Sequence, residues 1–190
     1  PAFPIHPSTR IGHVHLKVAD LERALGFYCG VLGFELTQRY GRDAAFISAG
    51  GYHHHIGLNT WESKGGSPPP ADTTGLYHTA ILYPTRTALA DALKRLMAAG
   101  IQLTGASDHG VSEALYLNDP EGNGVELYWD RAEPDWPRDA SGGLLQHANR
   151  CRRTCGHRHP DQPADGYLCA TARQLLRPEC QAARHADLRG

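Results

Sequence analysis

The amino-acid sequence predicts an α+β protein built from two βαβββ modules that form a curved mixed sheet around a metal site. Three observations predict it. Two segments follow one plan, each opens on a histidine in an apolar strand pattern, and each ends its helix on a glycine before the next strand.

The first module covers about residues 8–64. Its opening run, Ile11-Gly-His13-Val-His15-Leu-Lys-Val18, has a strand pattern, and Asp20 follows as a helix N-cap. Leu21, Ala24, Leu25, Tyr28 and Leu32 then recur at helical spacing. Gly33 stops the helix and Phe34-Glu35-Leu36 resumes a strand. Two more strands are expected at Ala44 to Ala49 and Tyr52 to Thr60. The second module covers about residues 74–132 and repeats the plan. Its strand is Leu76-Tyr77-His78-Thr-Ala-Ile-Leu-Tyr83, its helix carries Leu89, Leu93, Leu96 and Met97 on one face, and Gly100 precedes Ile101-Gln-Leu103. Glu113 to Asn118 and Gly124 to Trp129 complete it, and the Gly/Pro-rich stretch 65–70 joins the two modules.

With 190 residues, 41% of them hydrophobic and 21% charged, the chain can bury a core of its own, and disorder throughout is excluded. A net charge of −1 offers no attraction to nucleic acid or to an anionic membrane, so neither is expected as a partner. No apolar run reaches the ~18 residues of a membrane span, and no apolar leader opens the sequence. A soluble, cytoplasmic protein is the expectation. Residues 141–190 differ from the rest: they hold 8 Arg, no Lys and 4 acids, four of the five cysteines, and no Val, Ile, Phe, Met or Trp. That composition predicts a disordered or weakly docked tail, dispensable for stability, beyond a domain at 8–140. Within it, Cys151, Cys155, His157 and His159 are ligand types suited to zinc, but their spacing is not that of a finger or ribbon. Cys29, beside Tyr28, fits a packed thiol.

Eight of the 12 histidines lie before residue 141, mostly at strand positions. His13 and His78 hold the same place in the two modules, and Glu126 sits late in the last strand of the second. Two histidines and one carboxylate around open positions are the ligand set of non-haem Fe(II) oxygen chemistry. His15 points to the same side of its strand as His13, so alternation alone does not choose between them.

The run from Ile11 to Ala24, with Phe27-Tyr28 and Val31-Leu-Gly-Phe34 after it, resembles the opening of vicinal-oxygen-chelate proteins. That superfamily includes glyoxalase I, the bleomycin- and fosfomycin-resistance proteins and the type I extradiol ring-cleaving dioxygenases. The stretch His109, Leu115-Tyr116, Asp119-Pro120-Glu-Gly122 and Glu126 is similar to the extradiol signature, with Ser107 as a departure from its usual residues. The resemblance covers roughly residues 8–140 and is nearest to the small catechol 2,3-dioxygenase-like proteins.

The resemblance implies His13, His78 and Glu126 as metal ligands, His13 being selected over His15 by its spacing to Asp20. It implies Fe(II), or Mn(II) in its place, a catechol-type substrate and O2, and commonly a homodimer. The first module has no carboxylate before Glu62 to match Glu126, so three ligands rather than the four of glyoxalase I are expected. Of the triplet His53-His54-His55, His55 is the expected second-sphere acid-base group with His53 beside it, because strand alternation puts those two on one face. His109 and Tyr116 are expected to hydrogen-bond substrate oxygens, and His15 to line the pocket. Two other activities use this fold: a metal-dependent thiol transferase of the fosfomycin-resistance type, which needs cations for a phosphonate, and a metal-free bleomycin-type binding protein.

Overall fold

The computed structural model describes residues 3–70, 72–145, 149–152 and 170–177. The chain divides into two compact units, Pro1–Ala71 and Asp72–Gly190.

In the first unit, β1 (Val14–Lys17) leads to α1 (Leu21–Leu25), which Asp20 caps by accepting from the Arg23 amide at 3.0 Å. The helix runs on as a π-helical stretch, Gly26–Val31, in which Leu32 N–H reaches back five residues to the Phe27 carbonyl. Phe27 and Tyr28 are both buried there. Gly33, at φ 89°, turns the chain into β2 (Glu35–Tyr40), a conformation that costs a glycine nothing. After β3 (Ala44–Ser48) and β4 (Ile56–Asn59) the sheet order is β1-β4-β3-β2, parallel between β1 and β4 and antiparallel elsewhere. Leu16, Ile47, Ile56 and Leu58 are buried together with Leu21 and Leu25 of the helix.

The second unit repeats this plan. It comprises β5 (Thr79–Leu82), α2 (Arg86–Ala98), β6 (Gly105–Asp108), β7 (Ser112–Asn118) and β8 (Gly124–Asp130). Thr85 caps α2 by accepting from the Ala88 amide, and Gly100, at φ 70°, ends it. Leu89, Leu93 and Leu96 are fully buried, as are Leu115, Leu117, Val125 and Leu127 of the sheet. The two βαβββ units form two separate mixed sheets, β5 being parallel to β8 in the second.

The local readings differ from the sequence expectation at two histidine segments. The last strand of the first unit begins at Ile56 rather than Tyr52, so His53, His54 and His55 lie in the loop that enters it, and strand alternation does not govern them. Gly50 and Gly51, at φ 67° and 80°, curl the chain there and delay the strand. His78 likewise stands just before β5 rather than inside it.

Two pieces of the Arg/Cys/His-rich tail meet the second unit. β9 (Asn149–Arg152) pairs antiparallel with the edge of β6, and α3 (Ala170–Leu175) packs on α2 and β6 with Ala172 and Leu175 buried. Cys155, His157, His159, Cys169 and Cys180 lie outside the described residues. Among the described residues, no helix is long and apolar enough to cross a membrane.

Candidate metal centre

The β7–β8 hairpin sets the register on which the site depends. Asp119 is buried at the turn, where its Oδ1 accepts from the amides of Glu121 and Asn123, both at 2.9 Å, and its Oδ2 from Asn123 Nδ2 at 3.0 Å. Gly122 takes φ 85°. This turn fixes the ladder in which Tyr116 stands opposite Glu126, while Ala80 of β5 flanks Glu126 on the other side. The alternate residues Leu115, Leu117, Val125 and Leu127 are buried, so Tyr116, Glu126 and Ala80 share the opposite face. His78, two residues before Ala80, reaches the same face. Replacing Asp119 by Ala orphans three donors, and urea unfolding should show a loss on the order of 3 kcal/mol.

On that face four side chains form one hydrogen-bonded row. His78 Nε2 lies 2.9 Å from Glu126 Oε2, the Tyr116 hydroxyl donates to Glu126 Oε1 at 3.0 Å, and His109 Nε2 lies 2.8 Å from the Tyr116 oxygen. The phenol has one proton and gives it to the carboxylate, so His109 donates to the phenol oxygen and carries its proton on Nε2. Each of these residues is named by the sequence signature or the repeat. The geometry adds that Tyr116 is the hinge between the imidazole of His109 and the carboxylate.

Gly124 is a residue that periodicity does not single out, although a glycine opening a strand marks close backbone approach. A Cβ placed on it would overlap the Tyr77 carbonyl oxygen and come within 3.0 Å of His78 Cβ. The bare backbone at Gly124 therefore lets the Tyr77-His78 segment lie against β8 and brings the imidazole to Glu126.

The first unit gathers histidines of its own. The His54 ring lies 4.5 Å from that of His13 and 4.9 Å from Phe46, and His53 Nδ1 is 2.7 Å from His54 Nδ1. Burial, reinforced by repulsion from His13 and its other histidine neighbours, lowers the His54 pKa. His54, passed over by the alternation argument, is thus the triplet member beside His13. His55 turns to the end of β3, where its Nδ1 meets Ser48 Oγ at 2.9 Å and accepts from the Ala49 amide at 3.3 Å. An amide only donates, so the neutral ring carries its proton on Nε2. His15 packs between Phe46 and Trp61, ring centroids 6.0 and 5.7 Å away.

Register makes the two units comparable position by position. Glu126 is flanked by Ala80 and Tyr116, and the residue flanked in the same way, by His15 and Phe46, is Gly57. Gly57 is the counterpart of Glu126, and a Cβ there would meet the His15 ring at 3.0 Å. The expected absence of a second carboxylate thus has a specific address.

Among the described residues, no group of three or more His, Cys, Asp or Glu side chains is arranged to hold a metal ion. His78 and Glu126 nevertheless supply a fitting pair. Adjacent donors of an octahedral ion with bonds of ~2.1 Å stand about 3.0 Å apart, and Nε2 and Oε2 are 2.9 Å apart. Imidazole and carboxylate are the donor types that such iron sites use. Tyr116 occupies the other carboxylate oxygen, and His78 Nδ1 is buried with no hydrogen-bond partner.

The model of the Glyoxalase/Bleomycin resistance protein/Dioxygenase superfamily matches residues 10–127. A catechol-2,3-dioxygenase of Bacillus subtilis (strain 168) is 42% identical over 163 residues, covering 79% of this chain and 56% of that protein. Biphenyl-2,3-diol 1,2-dioxygenase 3 of Rhodococcus globerulus is 35% identical over 139 residues, 70% of each chain. The crystal structure of a glyoxalase/dioxygenase from Nostoc punctiforme shares the fold with a TM-score of 0.57 at 17% identity, covering 70% of this chain and 99% of that one. The chain spans little more than half the length of the Bacillus relative. With two βαβββ units, the signature from His109 to Glu126 and a family match across more than half its length, the chain belongs to the glyoxalase/bleomycin resistance/dioxygenase superfamily.

Proposed function

We propose that this protein is an extradiol dioxygenase, an Fe(II)-dependent enzyme that opens the ring of a catechol-type aromatic beside its diol with O2. The observation that carries the reading is the row His109, Tyr116, Glu126 and His78 on one face of the second sheet. The names of the Bacillus and Rhodococcus relatives support it. Glu126 and His78 would hold the iron, with His13 as the third ligand on the sequence match alone; Mn(II) is the alternative ion.

A bound ferrous ion supplies Lewis acidity, which lowers the pKa of a catechol hydroxyl, and a path for electrons to O2. The chain supplies the rest. Tyr116 fixes the orientation of the Glu126 carboxylate, and His109, whose Nε2–H holds the Tyr116 oxygen, would have to release it to donate to a substrate oxygen. His55, whose Nδ1 is tied to the end of β3, offers Nε2–H as the group that gives and takes the proton during ring opening. His15 and His53 are proposed to line the substrate pocket.

Protein reconstituted with ferrous ion without oxygen, then given a panel of catechols in an oxygen electrode, should consume O2 and form a yellow ring-opened semialdehyde. No uptake with any catechol, from protein holding one ferrous ion per chain, would move the reading to the thiol transferase. His55→Ala should retain iron and lose on the order of a hundred-fold in kcat. Undiminished turnover in that variant would pass the acid-base role to His53 or His109.

A further inference from the structure

On the other side of the β6–β7 hairpin from the site stands a charge arrangement that the reaction does not use. The ladder places Asp108 of β6 directly opposite Glu113 of β7. Like charges facing each other across an antiparallel pair push the strands apart, and the Glu113 side chain is 5% exposed, so water screens it little. Arg131, just past β8, answers both. Its Nη2 donates to Asp108 Oδ2 at 2.8 Å and to Glu113 Oε1 at 3.1 Å, while Arg86 at the start of α2 takes Glu113 Oε2 at 2.8 Å.

The same arginine is also joined to the hairpin through its backbone. Its amide donates to the Val111 carbonyl at 2.8 Å, and its carbonyl accepts from Trp136 Nε1 at 2.8 Å. Asp108 in turn accepts from the Gly110 amide at 2.9 Å, and the His109 amide closes the turn on the Ser112 carbonyl. Burial would raise the Asp108 pKa, yet the Gly110 amide and Arg131 outweigh it and hold that carboxyl below its ordinary range. The turn carrying His109 is thus gripped at both ends by one residue that does not touch the row of site side chains.

We propose that Arg131 is a positioning residue for the reaction: by clamping the facing carboxylates Asp108 and Glu113 it holds the 109–111 turn so that His109 stays on the Tyr116 hydroxyl. This rests on the reading of His109 as a site residue, and its consequence is specific. Without the Arg131 side chain Asp108 loses its cation and Glu113 keeps only Arg86, so the facing carboxylates repel and the His109 imidazole leaves the phenol, while His78 and Glu126, before β5 and on β8, stay in place.

The test uses the full chain with ring-15N-labelled histidine. In R131Q the His109 ring signals should shift, iron content and the KM for catechol should stay within about twofold of the parent, and kcat should fall about ten- to a hundred-fold, the scale of a misplaced reacting group. Adding E113Q removes the facing charge, so E113Q/R131Q should recover most of the lost kcat and return the His109 signals toward their parent positions. The double variant also keeps the test open if R131Q alone does not fold. Unmoved His109 signals in R131Q, or no recovery in the double variant, overturn the clamp. A parent protein without oxygen uptake overturns the functional reading instead, and the ring signals still decide the clamp.

Discussion

Gly124→Ala should cost the protein its metal and its activity together. The added methyl has nowhere to go, because it would overlap the Tyr77 carbonyl and press on His78 Cβ at 3.0 Å. Gly124 is paired with Asn118 in the β7–β8 ladder, whereas Tyr77 and His78 precede β5, so the movement falls on the Tyr77-His78 segment. A shift of an ångström there separates Nε2 from Glu126. Overpacking of this kind costs roughly 1–3 kcal/mol, which leaves a folded chain. Iron retained after desalting should fall at least tenfold in a variant whose far-ultraviolet circular dichroism is unchanged. Parent-like iron content in Gly124→Ala would show that His78 is not a ligand or that its segment has slack.

Glu126→Ala and His78→Ala should each abolish iron retention, since removing one of the three proposed ligands leaves a weak, open site. Tyr116→Phe separates ligation from orientation. It keeps both donors that face each other and removes only the hydroxyl on Glu126 Oε1, so iron should bind about 10- to 100-fold more weakly rather than not at all. Titration of ferrous ion into the apo protein, read by equilibrium dialysis, distinguishes the two classes. Full retention in Glu126→Ala would remove the carboxylate from the ligand set. His13→Ala against His15→Ala answers the question that strand parity leaves open, with loss of iron expected only in the former.

The modules were legible because their signals are local. Leu89, Leu93 and Leu96 mark one helix face, and Gly33 and Gly100 stop their helices by taking positive φ, which a sequence announces through residue type alone. Within the site, His78, His109, Tyr116 and Glu126 were legible from the repeat and the signature. Their pairing was not, because the opposition of Tyr116 to Glu126 depends on how many residues the Asp119 turn consumes. The histidine triplet was misplaced for a related reason. Alternation applies only within a strand, and the glycine turn at 50–51 delays β4 until Ile56, so His54 rather than His53 or His55 comes beside His13. Gly124 and Arg131 act on segments some fifty and twenty residues away, respectively, and such tertiary approach leaves no periodic trace. The tail composition, without Val or Ile, allows weak docking at most, and it does not say that Ala172 and Leu175 would be the buried residues.

The pairing of His15 with Gly57 has an evolutionary consequence. If both halves descend from one duplicated ancestor that carried an acid at this ladder position, no single step leads back to it. Gly57→Glu alone drives a side chain into the His15 ring, and His15→Ala alone clears the position without supplying an acid. Only the two changes together restore a carboxylate without a clash, so the pair should behave epistatically, with a double variant better tolerated than Gly57→Glu by itself. The asymmetry between the halves works as a ratchet: once a ring has settled over the vacated position, drift no longer returns the lost acid.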